Sequence, residues 1–131
     1  MAAVLLDTTV LIDVLRGRPG ARARLLQLRE RGDVPYVCAV NVEEVARGLL
    51  PEESEAASTL FDGLHVAPLG ASEGWRAGVW RRAFAQLGQT LSQADCLVAA
   101  AAVSVGASLG TGNPKDFPMT EIDVEHWPAG A

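Results

Sequence analysis

The chain has 131 residues, 49% of them apolar, and a formal net charge of −5 at neutral pH. That length fits a single domain over residues 1–131 with one sizeable core, and the acidic balance argues against a general nucleic-acid coat protein. The start Met1-Ala-Ala-Val-Leu-Leu-Asp7 lacks the basic segment of a signal peptide, and the apolar stretch Cys96 to Val103 is too short to span a bilayer, so we expect a cytoplasmic protein with no membrane contact.

In chain order, residues 3–7 read as a buried strand, continuous and apolar until Asp7. A short helix follows, with Thr8 or Thr9 as its cap and Gly17 as its stop. Pro19-Gly20 opens a second helix, with Leu25, Leu26 and Leu28 on its buried side, ending at Gly32. Pro35 to Val40 is β-rich and reads as a second strand, after which Asn41 caps a helix to about Leu50 and Pro51 begins an acidic one. Leu64 to Ala67 is a weak third strand. Ser72 then caps a helix through Leu87, and Ser92 caps another that ends at Gly106. Residues 107–111 form a fourth strand and 122–125 a fifth. Strands that alternate with helices and are apolar throughout imply burial on both faces, hence an α/β sandwich around a parallel sheet. In such sheets ligands sit beyond the carboxyl ends of the strands, where strand order reverses.

Much of the remaining chemistry is excluded. Cys38 and Cys96 stand 58 positions apart with no metal-like spacing and read as buried free thiols. His65 and His126 are isolated, and no phosphate-binding glycine loop is present. Six arginines between Arg16 and Arg31 face one acid, Glu30, as a solvated helix face or a basic patch for phosphates or an acidic peptide. Trp75, Val79 and Ala83, with Trp80, Phe84 and Leu87 beside them, follow helical spacing and read mainly as core, with a partner groove as the sharper option.

Four acids stand out: Asp7, Glu44, Asp95 and Asp116. Each has an ordinary role on its own. Asp7 can cap a helix, Asn41-x-x-Glu44 and Ser92-x-x-Asp95 resemble capping boxes, and Asp116 can serve a turn. Asp7 and Asp116 fall directly on the carboxyl edge of the sheet, and Glu44 and Asp95 reach it only if their helices start there. Asp95 is the sole charge between Arg82 and Lys115, in an otherwise apolar helix. An unpaired carboxylate buried there costs several kcal/mol and protonates or acquires a cation. Oxygen donors of this kind suit Mg²⁺ or Mn²⁺.

At these positions the sequence resembles the PIN-domain ribonucleases, and among them the VapC toxins of bacterial toxin–antitoxin pairs. The matching segments are Leu6-Asp-Thr-Thr-Val-Leu-Ile-Asp-Val-Leu-Arg-Gly17, Glu44-Val-Ala-Arg-Gly48, Leu91-Ser-Gln-Ala-Asp-Cys-Leu-Val-Ala-Ala-Ala101 and Thr111-Gly-Asn-Pro-Lys-Asp-Phe117. The resemblance implies a single PIN domain: a three-layer sandwich with a mostly parallel sheet of four to five strands flanked by helices. It further implies Mg²⁺- or Mn²⁺-dependent endonuclease activity on single-stranded or loop RNA, with water attacking a phosphodiester. Asp7, Glu44, Asp95 and Asp116 would be both the catalytic and the metal-binding acids, with Glu44 chosen over Glu43 because it stands four before Gly48. Thr8, Thr111 and Asn113 would support them, and Arg16, Arg47 or the 18–31 cluster would hold flanking phosphates. Some members carry aspartate where Asn113 stands here.

The same resemblance implies a VapB-like antitoxin whose C-terminal segment occupies a groove near the site, and a homodimer. The Trp75/Trp80 helix and the arginine-rich second helix are candidates for those contacts. Two alternatives are a catalytically silent PIN-like binding module and a phosphatase of the haloacid dehalogenase type. The latter needs an aspartate two residues after Asp7, where Thr9 stands.

Overall fold

In a computed structural model describing residues 1–130, five parallel strands stand in the order β3-β2-β1-β4-β5. They are β1 (Ala3–Leu6), β2 (Val34–Val37), β3 (His65–Val66), β4 (Ser108–Thr111) and β5 (Val124–His126). Central β1 pairs with β2 through Val4↔Pro35 and with β4 through Leu5↔Leu109. Six helices cover the two faces: α1 (Thr8–Leu15), α2 (Pro19–Glu30), α3 (Ala39–Gly48), α4 (Ser54–Asp62), α5 (Ala71–Gln86) and α6 (Gln93–Ser104). Short 3₁₀ turns at Pro51–Glu53 and Pro114–Asp116 complete the chain.

The alternation of side chains along β1 divides the core in two. Val4 and Leu6 join Val10, Leu11, Leu25, Leu28 and Trp127 on one face. Leu5 joins Leu109 and the α6 residues Val98 to Ala102 on the other. The sheet is thus buried on both sides, as continuous apolar strands require. Alanine at four successive buried positions, 99–102, lets α6 lie close against the sheet.

Several local expectations are corrected. Asp7, not Thr8 or Thr9, caps α1, because its carboxylate reaches the Thr8 N–H at 2.9 Å while its own backbone is still extended. Helix α3 starts earlier than Asn41: Cys38 is the cap, and Asn41, at the third helical position, accepts from the Cys38 N–H. Likewise Gly70, not Ser72, precedes α5, with Glu73 accepting the Gly70 N–H at 2.7 Å. Leu26 is 58% exposed rather than buried, since α2 turns only the stripe of Ala21, Leu25 and Leu28 inward. On α5 the core takes Ala77 and Trp80, whereas Trp75 and, just past the helix end, Leu87 are at least three-quarters exposed. Both cysteines are free and buried, and His65 packs its ring against Tyr36.

The C-terminal end of the chain is latched back onto the start of α2. The Ala21 N–H donates to the Ala129 carbonyl, and Gly20 lies so close that a β-carbon there would stand 2.7 Å from that oxygen. Arg24 stacks over Trp127 at 4.9 Å and donates to the His126 carbonyl and to Glu125. No helix is long and apolar enough to cross a membrane among the described residues.

Candidate active site

The carboxyl ends of β1 and β4 form the floor of the site. Asp7 directly follows β1 and Thr111 ends β4, and parallel pairing brings the two side chains together. The Thr111 hydroxyl donates to Asp7 Oδ2 at 2.7 Å, and the more distant Thr9 hydroxyl lies 3.5 Å from the same oxygen. Thr9 Oγ1 accepts the Gly112 N–H at 3.0 Å and Thr111 Oγ1 accepts that of Asn113, so the loop after β4 is tied to the start of α1. Thr9 is a site residue that sequence reasoning passed over; its only signal is its place two residues after Asp7.

Glu44 enters from α3. The Thr8 hydroxyl donates to its Oε1 at 2.6 Å, while the neighbouring Glu43 faces solvent and pairs with Arg47 at 3.5 Å. The expected Asn41–Glu44 capping box does not form, because Asn41 itself serves the α3 cap and leaves the Glu44 carboxylate to Thr8. Asp95 stands at the third position of α6, where the Ser92 hydroxyl accepts its N–H at 3.0 Å and the helix dipole favours a negative charge. Asp116 lies half-buried in the 3₁₀ turn after β4.

Electrostatics link the four. Burial pushes the Asp7 carboxyl pKa up, and Glu44 raises it further against the hydrogen bonds from Thr111, Thr8 and Thr9. Asp95 is also raised, first by burial and then by the charges of Asp7, Asp116 and Glu44 against the hydrogen bond at Ser92. Among the described residues no lysine or arginine pairs with any of the four. Nor do three His, Cys, Asp or Glu side chains there converge tightly enough to enclose an ion as they stand.

The donor set nonetheless fits a hard cation: all oxygen, partly desolvated and mutually repelling. Mg²⁺ is commonly held by only one or two carboxylates, with water filling its remaining positions. Asp7 and Asp95 are the residues that would hold it, with Glu44 and Asp116 within range of their charge. The half-exposed Arg16 guanidinium sits 3.6 Å from Glu53.

The PIN domain family matches residues 4–123 of this sequence. The chain belongs to the PIN-domain family. This PIN domain is 29% identical over 115 residues to Ribonuclease VapC19 of Mycobacterium tuberculosis, covering 88% of this chain and 92% of that protein. Its fold matches VapBC of Salmonella typhimurium, solved bound to DNA, with a TM-score of 0.82 and 23% identity over 97% of this chain and 99% of that one. It also matches VapBC2 of Rickettsia felis, bound to a promoter DNA fragment, with a TM-score of 0.80 and 21% identity over 95% and 98% of the two chains. The range matched by the family, residues 4–123, contains the positions of all four acids.

Proposed function

We propose that this protein is a Mg²⁺- or Mn²⁺-dependent endoribonuclease and the toxin of a VapBC-type pair, cutting single-stranded or loop RNA. The observation that carries the reading is the acidic edge of the sheet, where burial and mutual repulsion raise Asp7 and Asp95 and, among the described residues, no lysine or arginine forms an ion pair with them. When bound, the metal supplies positive charge for the scissile phosphate and lowers the pKa of a water. Asp7 and Asp95 would hold it. Thr111 and the N–H of Thr8 fix the Asp7 carboxylate, and Glu44, oriented by Thr8, accepts a proton or a hydrogen bond from the attacking water. Exposed arginines of α2 and α3 provide phosphate contacts at the rim.

The groove between α1, α2 and α4, about 690 Å³, suits the antitoxin segment. Its floor includes Val14, Leu25, Leu26 and Leu60, and its walls carry Arg22 and Arg29 opposite Glu52 and Glu55. An amphipathic segment can bury its apolar side there and pair charges on both flanks. The exposed Trp75 face of α5 remains the candidate for homodimerisation.

The spacing of the acids, too wide to enclose an ion as they stand, is what favours the rival reading of a catalytically silent PIN module. Purified protein assayed on RNA with Mg²⁺ or Mn²⁺ separates the two. We expect EDTA to abolish cleavage and Asp7→Asn and Asp95→Asn each to reduce it by roughly 100-fold or more, with folding intact by thermal melt. Cleavage that survives EDTA and both substitutions rejects the metal mechanism; no cleavage by the unaltered protein supports the silent module.

A further inference from the structure

Asn41 reads in sequence as a helix cap and nothing more. In the fold it is fully buried and joins the start of α3 to the site. Its Oδ1 accepts the Cys38 N–H at 3.0 Å and the Cys38 thiol at 3.3 Å, and its Nδ2 lies 3.2 Å from Thr8 Oγ1. The direction of these bonds is fixed at their start. A backbone N–H can only donate, so the amide atom facing Cys38 is the oxygen, and the NH₂ is left facing Thr8. An amide NH₂ also only donates, so the Thr8 oxygen accepts. Its single proton is then committed to Glu44 Oε1, and 2.6 Å is the length expected of a hydroxyl on a carboxylate.

We propose that Asn41 is a positioning residue that acts through Thr8 to hold the Glu44 carboxylate in the site. Capping α3 uses only the Oδ1 half of the amide; the Nδ2 half does no capping and is spent on Thr8. The hold is needed because Glu44 and Asp7 repel each other, and a flexible glutamate side chain left free relieves that repulsion by swinging outward. Asn41 prevents the Thr8 hydroxyl from turning its proton elsewhere.

The kinetic part of the test rests on the ribonuclease reading; the structural part does not. Metal-free crystal structures of the unaltered protein and of Asn41→Ala are compared at the Thr8–Glu44 contact. We expect that contact to break and the Glu44 carboxylate to leave its place in the variant. An unchanged contact overturns the proposal. If alanine at 41 prevents folding, Asn41→Leu fills the buried volume and replaces it.

In RNA cleavage, Asn41→Ala and Thr8→Val should each lower kcat by about 10-fold with KM unchanged. The double variant should fall no further than Thr8→Val alone, because Asn41 has nothing left to act through. A multiplied loss of about 100-fold, or a loss matched by the fraction unfolded, reduces Asn41 to a structural role. If the unaltered protein cleaves no RNA, the ribonuclease reading fails while the crystallographic comparison still decides whether Asn41 positions Glu44.

Discussion

Asp7 carries three duties on one carboxylate: it caps α1, accepts the Thr111 hydroxyl and faces the charge of Glu44. Its raised pKa sets the sign of a pH effect. The folded metal-free protein binds this proton more tightly than the unfolded chain does, and Asp95 behaves alike. Stability from these groups is therefore full below the ordinary aspartate range and is lost as pH rises through the raised folded values. Asp7→Asn keeps a good capping residue and removes the charge. Without metal it should melt above the unaltered protein near pH 7, with the gap closing toward about pH 4. A variant that melts lower at both values means that the carboxylate chiefly stabilises the fold. Asp7 and Asp95 are legible in sequence because a charge at the end of an apolar strand, or alone in an apolar helix, conflicts with its surroundings. Thr9 and the second role of Asn41 are not, since both depend on bonds to residues far along the chain.

At the scale of elements, α6 shows why alanine can be a demanding choice. Its residues Ala99 to Ala102 are all at most 1% exposed, wedged between the sheet and α5. Ala101→Leu should cost roughly 1–3 kcal/mol by overpacking, read as a lower urea midpoint with an unchanged slope. Helix α5 marks the limit of periodicity as a guide. Spacing shows that Trp75 and Val79 share a face, but not whether that face meets the core; Ala77 and Trp80 meet it instead. Helix starts suffer similarly. Cys38 and Gly70 carry none of the usual capping side chains, and the bonds are made by Asn41 and Glu73 at the third helical position. The succession of strands and helices along the chain needed no such detail, because uninterrupted apolar strands admit few arrangements other than a covered parallel sheet.

For the whole molecule, the strand order places β1 at the centre, with the earlier half of the chain on one side and the later half on the other. The acidic edge thus lies where the order reverses, and the α1–α2–α4 groove belongs to the earlier half. Leu26, exposed within that groove, gives a test of the partner assignment. Leu26→Asp should change stability by no more than about 0.5 kcal/mol yet prevent co-purification with the product of a small reading frame adjoining this gene. Binding that survives it places the partner elsewhere.

The bond from Thr111 to Asp7 closes a span of 104 residues, and β4 cannot pair with β1 until that span has been made. During synthesis, then, a growing chain carries Asp7, Glu44 and Asp95 well before the strand that completes the floor beneath them. Chains released between residues 95 and 111 hold three of the four acids but not the strand that completes the floor, so premature termination leaves the acidic edge unassembled.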